Sequence, residues 1–170
     1  INRDAAQSPV EVDGEIYGLL EKCLQISEKT EGAFDITTAP LCDLWRSAAK
    51  RGSVPSDLEM CETLSRTGYR SLRLDSERST ISFLREGMGL DLGAVGKGTI
   101  LDRAAQFLKD RGMRCGLLNA GGNIVSWDPA GSRIGIRDPL DGDRMLSTVF
   151  LKDEAVATSA NDERFFQIQD

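Results

Sequence analysis

The sequence predicts an α+β fold, a largely antiparallel sheet with helices packed on it, and three observations carry that prediction. Up to about residue 66, apolar residues recur at helical spacing between cap and stop signals. From Tyr69 the period changes to two, the mark of half-buried strands. A glycine-rich loop, "DLGAVGKG" at 91–98, then opens one more helix before strands resume. One domain over residues 1–170 is expected, since a chain of this length buries about 70% of its unfolded surface and no linker, repeat or low-complexity tract interrupts it.

Each element has a local justification. Asp13 is placed to cap a helix from Gly14 to Glu31, with Ile16, Leu19, Leu20, Cys23, Leu24 and Ser27 on one face and Val12 set to staple Tyr17; Gly32 supplies the stop. Thr37 and Thr38 predict an extended turn before Pro40, followed by a helix over Leu41–Lys50 that buries Leu41, Leu44, Trp45 and Ala48 and ends at Gly52. Ser56 and Glu59 have capping-box spacing, so residues 57–66 read as a third helix with Gly68 as its exit. "YRSLRLD" and "STISFL" alternate across the turn at Asp75–Arg78 and predict a hairpin, and "MGLDL" predicts a short strand leading into the glycine loop. The helix behind that loop carries Ile100, Leu101, Ala104, Ala105 and Leu108 on its buried side. Five short strands follow, at 115–118, 123–127, 133–137, 146–152 and 155–158, with "RFFQIQ" as a sixth.

Composition narrows the chemistry. The net charge is −6, with 21 Lys and Arg scattered among 27 Asp and Glu, so the basic face of a nucleic-acid binder is missing. No apolar run approaches the roughly 18 residues of a membrane span. The four cysteines form no CxxC pair and read as reduced, mostly buried thiols rather than a zinc or redox site. The chain contains no histidine, which removes Ser-His-Asp and Cys-His nucleophile pairs and His-ligated metals. Carboxylates, lysine, hydroxyls or a metal must then carry any catalysis.

The glycine loop has two physical uses. Gly93, Gly96 and Gly98 would let backbone N–H groups approach an anion such as pyrophosphate at the positive end of the helix, with Lys97 adding a point charge and Asp91 orienting a polar group or a metal shell. The same glycines would equally serve tight strand-to-helix packing, and the spacing is neither GxGxxG nor GxxxxGK[ST]. "NAGGN" is similarly open: Gly121 and Gly122 suit positive φ in a hairpin or a close approach to a ligand, and Asn119 and Asn123 offer amides. "GAFD" is a helix stop or a ligand border. "RDP" at 137–139 reads as a turn, and "TSANDER", with Thr158, Ser159, Asn161, Asp162 and Glu163, as a polar one.

The order of these blocks is more specific than any one of them. "GAFDITTAPLCDLW", "LDLGAVGKGTILDRAAQFL", "LLNAGGNI", "IGIRDP" and "VATSANDER" occur in the same succession in the FAD:protein FMN transferases, and from "NRDA" to "ERFF" the chain resembles these ApbE-like flavin transferases. The resemblance implies an ApbE-like transferase domain of which this chain is the central portion, incomplete at both ends. It would be followed by a HxxDPxTG block and by Asp and Thr side chains that complete a magnesium site, so little turnover is expected of these 170 residues alone.

It further implies FAD as substrate, Mg²⁺ as metal, and transfer of FMN to a threonine of a target protein such as a subunit of a membrane redox complex; some members hydrolyse FAD to FMN and AMP. By matching position, Ala33, Phe34 and Asp35 border the FAD, Asp91 contacts the flavin, Lys97 lies beside the phosphates, and Asn119, Gly121 and Gly122 line the same cleft. Ala94 offers a backbone carbonyl to the metal. Members are commonly extracytoplasmic and lipid-anchored, whereas four unpaired cysteines lean towards a reducing compartment. Two alternatives stay open: a non-enzymatic flavin-binding or interaction module, and a general nucleotide-phosphate binder resting on the glycine loop alone.

Overall fold

The computed structural model describes residues 1–159, and its backbone gathers into two compact units that divide between Leu92 and Gly93. The predicted strand "RFFQIQ" and residues 161–163 of "TSANDER" lie outside the described residues.

In the first unit, a strand β1 (Val10–Glu11) precedes three helices, α1 (Gly14–Lys29), α2 (Ala39–Arg51) and α3 (Asp57–Leu64), and a hairpin of β2 (Leu72–Asp75) and β3 (Thr80–Phe83) closes the unit. The sheet order is β1-β3-β2, antiparallel throughout, with Leu74 opposite Ile81 and Val10 paired to the same Ile81. The cap signals act as read. Asp13 accepts from the N–H groups of Glu15 and Ile16, and α1 buries Leu20, Cys23 and Ser27. Gly52 ends α2 at φ 70°, a left-handed conformation that favours glycine. The core gathers Ala5, Leu20, Ile36, Ala48, Leu72, Ile81, Phe83, Met88 and Leu90.

Other details of this unit differ from expectation. Helix α2 begins at Ala39, not Leu41, because proline is tolerated in a helix's first turn, where its missing N–H has no helical acceptor to lose. Residues 69–71 form a 3₁₀ turn rather than the start of a strand. "MGLDL" is not a strand: the Asn2 side chain occupies the main chain of Leu90, accepting from its N–H at 2.8 Å and donating to its carbonyl at 3.0 Å.

The Ser56–Glu59 capping box forms and carries a measurable charge effect. The Ser56 main-chain N–H at 2.7 Å, the Arg51 guanidinium at 2.8 and 2.9 Å and the Ser56 hydroxyl hold the Glu59 carboxyl down at about 2, from an ordinary 4.5. A depressed acid stabilises the fold above its unfolded pKa and loses that contribution as pH falls towards the folded one. An NMR titration of the Glu59 carboxyl is therefore expected to find its midpoint near 2, and Arg51→Ala should move it upward. A midpoint at 4.5 in the wild type would show that the box is not formed in solution.

The second unit opens with α4 (Gly96–Asp110), which packs on the hairpin of β4 (Leu117–Ala120) and β5 (Asn123–Ser126). Strand β8 (Glu154–Ala157) pairs with β5 on its other side, and β6 (Ser132–Arg137) with β7 (Met145–Leu151) forms a second antiparallel hairpin, irregular between Ile136 and Arg137. Leu101, Ala105, Ser126, Trp127 and Leu151 are buried here. Ile100, expected inside, is 67% exposed. The inward stripe of α4 is Leu101 and Ala105, buried, with Ala104 and Leu108 half-buried, and a neighbour one position away points about 100° aside. Among the described residues, no helix is long and apolar enough to cross a membrane.

Candidate functional site

In the first unit, "GAFD" follows α1 directly, and Thr30 at its end shapes the turn: the Thr30 hydroxyl accepts from the Phe34 N–H at 3.1 Å, leaving Ala33 exposed and Phe34 half-buried. The Asp35 carboxylate is taken up by internal donors. Its Oδ1 accepts from the main-chain N–H and the hydroxyl of Thr37, both at 2.7 Å, and its Oδ2 accepts from the Tyr69 N–H at 2.8 Å. Thr37, fully buried, in turn accepts from the Gly68 N–H at 2.7 Å. Asp35 therefore builds the loop that presents its neighbours.

The same loop meets the strand-like segment before the glycines. The Asp91 N–H donates to the Ile36 carbonyl at 2.8 Å, so the two blocks singled out in the sequence, "GAFDIT" and "LDLG", are joined through one main-chain bond. The Asp91 carboxylate pairs with Arg46 of α2 at 3.7 Å, and the Cys42 thiol one turn earlier donates to it. Burial first, and that hydrogen bond second, push the Cys42 thiol up, while burial alone does so for Cys23. Arg46 and Cys42 carried no sequence signal as partners of Asp91. The periodicity of α2 indicates which residues share a face, not what that face touches.

In the second unit, the glycine loop runs into α4 with Val95 as its N-cap and Gly96, Lys97 and Gly98 as its first three helical residues. Val95 makes no side-chain capping bond. A Cβ built on Gly96 or Gly98 would meet nothing within 4 Å among the described residues, and neither glycine has a positive φ. Neither close packing nor backbone strain thus requires glycine at these two positions, although each costs a helix about 0.5–1 kcal/mol relative to alanine. Lys97 is half-buried at the second helical position, and Ala94 is exposed.

"NAGGN" is the β4–β5 connection. Gly121 and Gly122 have φ of 57° and 83° between the paired Ala120 and Asn123, a two-residue turn of the kind that needs positive φ twice. The Asn119 side chain accepts from the Gly122 N–H at 3.2 Å, and the Gly122 carbonyl accepts from the Thr158 N–H at 3.0 Å. The turn thereby gathers Asn119, Gly121, Gly122 and Thr158, and α4 packs on the two strands that carry it. "RDP" is the expected turn, with the Asp138 side chain accepting from the Leu140 N–H at 2.9 Å.

Magnesium is less well served. Among the described residues, no three acidic or cysteine side chains come together as a metal shell, and the main-chain carbonyl of Ala94 alone does not constitute one, since Mg²⁺ demands near-octahedral oxygen ligation. The described residues thus do not by themselves fit the metal.

Comparison with known proteins gives one consistent family. The model of the ApbE family matches residues 1–170. An FAD:protein FMN transferase of Treponema pallidum (strain Nichols) is 34% identical over 98% of this chain and 51% of its own length. One of Klebsiella pneumoniae (strain 342) is 30% identical over 98% of this chain and 52% of its own length. The chain spans about half the length of the curated relatives it matches. Among solved structures, an ApbE protein of Thermotoga maritima superposes with a TM-score of 0.87 at 34% identity, covering 98% of this chain and 56% of that one. A flavin transferase ApbE of Vibrio cholerae, at 23% identity and TM-score 0.81 over 99% of this chain and 56% of that one, agrees in fold.

Proposed function

The chain belongs to the ApbE family, and from that premise we propose that it is the flavin-binding part of an enzyme that transfers FMN from FAD to a threonine of a target protein. In that reaction the threonine hydroxyl attacks the phosphorus of the FMN half, the new P–O bond forms as the pyrophosphate P–O bond breaks, and AMP leaves with the electron pair. The hydroxyl proton goes to solvent or to a base. Phosphoryl transfer of this kind depends on holding the phosphates and offsetting their charge more than on covalent work by the protein. The first turn of α4 is suited to that task, with amides at the positive helix end and Lys97 beside them. Asp91 on the "LDLG" segment and the Ala33–Phe34 border would contact the flavin end, and Asn119 with the Gly121–Gly122 turn would offer amides to the ligand. Magnesium, the acceptor protein and a membrane redox complex as its source are expectations drawn from the family.

The observation that carries the reading is that a Cβ at Gly96 or Gly98 would meet no neighbour among the described residues. If these glycines serve a bound phosphate, alanine should leave the fold intact and obstruct the ligand. Gly98→Ala is expected to keep or raise the melting temperature, through a helix gain of about 0.5–1 kcal/mol, while weakening FAD binding by roughly tenfold. Lys97→Ala should weaken it roughly five- to tenfold and flatten its salt dependence. Loss of stability in Gly98→Ala with unchanged FAD affinity would return the loop to a packing role.

The alternative is a flavin-binding module without turnover. Incubation with FAD and Mg²⁺ separates the two, because AMP release or a flavinylated threonine peptide excludes pure binding.

A further inference from the structure

We propose that Arg46 is a positioning residue for the flavin site, fixing the Asp91 carboxylate from helix α2; this rests on the reading of Asp91 as a flavin contact. Asp91 is held from two directions. Its main chain is tied to the "GAFDIT" loop by the bond from its N–H to the Ile36 carbonyl at 2.8 Å. Its side chain is approached by one face of α2, where the Arg46 Nη2 lies 3.7 Å from the Asp91 Oδ2 and the Cys42 thiol donates to the same carboxylate. Arg46 is itself braced: its Nη1 donates to the Asp43 Oδ1 at 2.7 Å. The guanidinium is thus shared between two carboxylates, one on its own helix and one on the segment that leads to the glycine loop.

Stability does not account for this arrangement. The Arg46 side chain is 62% exposed, and exposed ion pairs contribute little to folding. A guanidinium at that distance draws one carboxylate oxygen towards α2 and partly offsets the charge of Asp91, so that a ligand meets a more ordered acceptor. Arg46 acts through Asp91 and not on the reacting phosphates.

Titrating FAD into the purified protein, followed by flavin fluorescence, tests this with four variants. Arg46→Ala is expected to weaken binding roughly three- to tenfold and Arg46→Lys to recover most of the loss, with melting temperatures unchanged within about 2 °C. In an Asp91→Asn background, Arg46→Ala should add little further loss, since the neutral amide no longer forms the ion pair through which Arg46 acts. Wild-type affinity in Arg46→Ala, with Asp91→Asn impaired, overturns the positioning role and leaves the flavin role of Asp91 standing. An equal Arg46→Ala loss in both backgrounds overturns it as well, because Arg46 would then act on FAD directly. Wild-type affinity in Asp91→Asn removes both the inference and the reading beneath it.

Discussion

Replacing Asp35 with alanine is expected to lower the unfolding free energy by about 3–5 kcal/mol, the largest loss from any single residue of the candidate site. Three donors converge on this carboxylate, two from Thr37 at 2.7 Å and one from the Tyr69 main chain at 2.8 Å. A fourth group is chained behind them, because the Thr37 hydroxyl that donates to Asp35 also accepts from the Gly68 N–H. Removing the acceptor orphans groups in a loop where Thr37 is fully buried, and each unsatisfied donor costs about 1–3 kcal/mol, with water recovering part of it. Asp35→Asn keeps one acceptor oxygen but points an amide at a donor, so about half the loss is expected. Urea unfolding with linear extrapolation reads the difference. A loss in Asp35→Ala below about 1 kcal/mol would mean that solvent replaces these bonds without cost.

The consequence for the site is a contrast. Asp35 shapes the loop that presents Ala33 and Phe34 and delivers the Ile36 carbonyl to Asp91, so its variants should lose FAD affinity in step with stability. At Gly98 the two quantities should part. That difference in kind, rather than the size of either effect, separates a residue that builds the site from one that leaves room for its ligand.

What the sequence made legible was local. Asp13, Ser56 with Glu59, and Gly52 announced helix ends because caps and stops are decided within a few residues of chain. The hairpin glycines 121 and 122 were equally readable, since two successive positive φ values demand that residue type. "MGLDL" alternates like a strand yet forms none, because the Leu90 main chain is bonded to the side chain of Asn2, 88 positions away. The same holds for the pairing of Asp91 with Arg46 and for that of Asp35 with Tyr69: neighbours set by tertiary folding leave no period or spacing behind. Glycine at 96 and 98 was visible, but the sequence could not say whether a side chain there would collide with the protein or with a ligand.

Gly116→Ala is the second large effect expected, and it also tests whether the chain unfolds as one domain. Gly116 precedes β4, and a Cβ placed on it would lie 2.2 Å from Cζ2 and 2.6 Å from Cη2 of Trp127. That indole has little room to retreat. It is 4% exposed and anchored by its own N–H to the Met113 carbonyl at 3.2 Å, while the Trp127 main-chain N–H donates to the Gly116 carbonyl at 3.0 Å. Overpacking against a fixed buried ring costs about 2–3 kcal/mol, and Gly116→Ala should lose that much; combined with Trp127→Leu it should lose less than the sum of the two changes, because the smaller side chain relieves the collision. An unshifted unfolding midpoint in Gly116→Ala would show that the Trp127 ring is not seated on Gly116 in solution. The two tryptophans then report separately, Trp127 from the second unit and Trp45, on α2, from the first. If residues 1–170 form a single cooperative domain, as the sequence predicts, Gly116→Ala should shift the transition seen by Trp45, in a Trp127→Phe background, as far as the transition seen by Trp127, in a Trp45→Phe background. Two units that unfold independently would leave the Trp45 transition where it was, and the destabilisation would stay confined to the half of the chain that carries the collision.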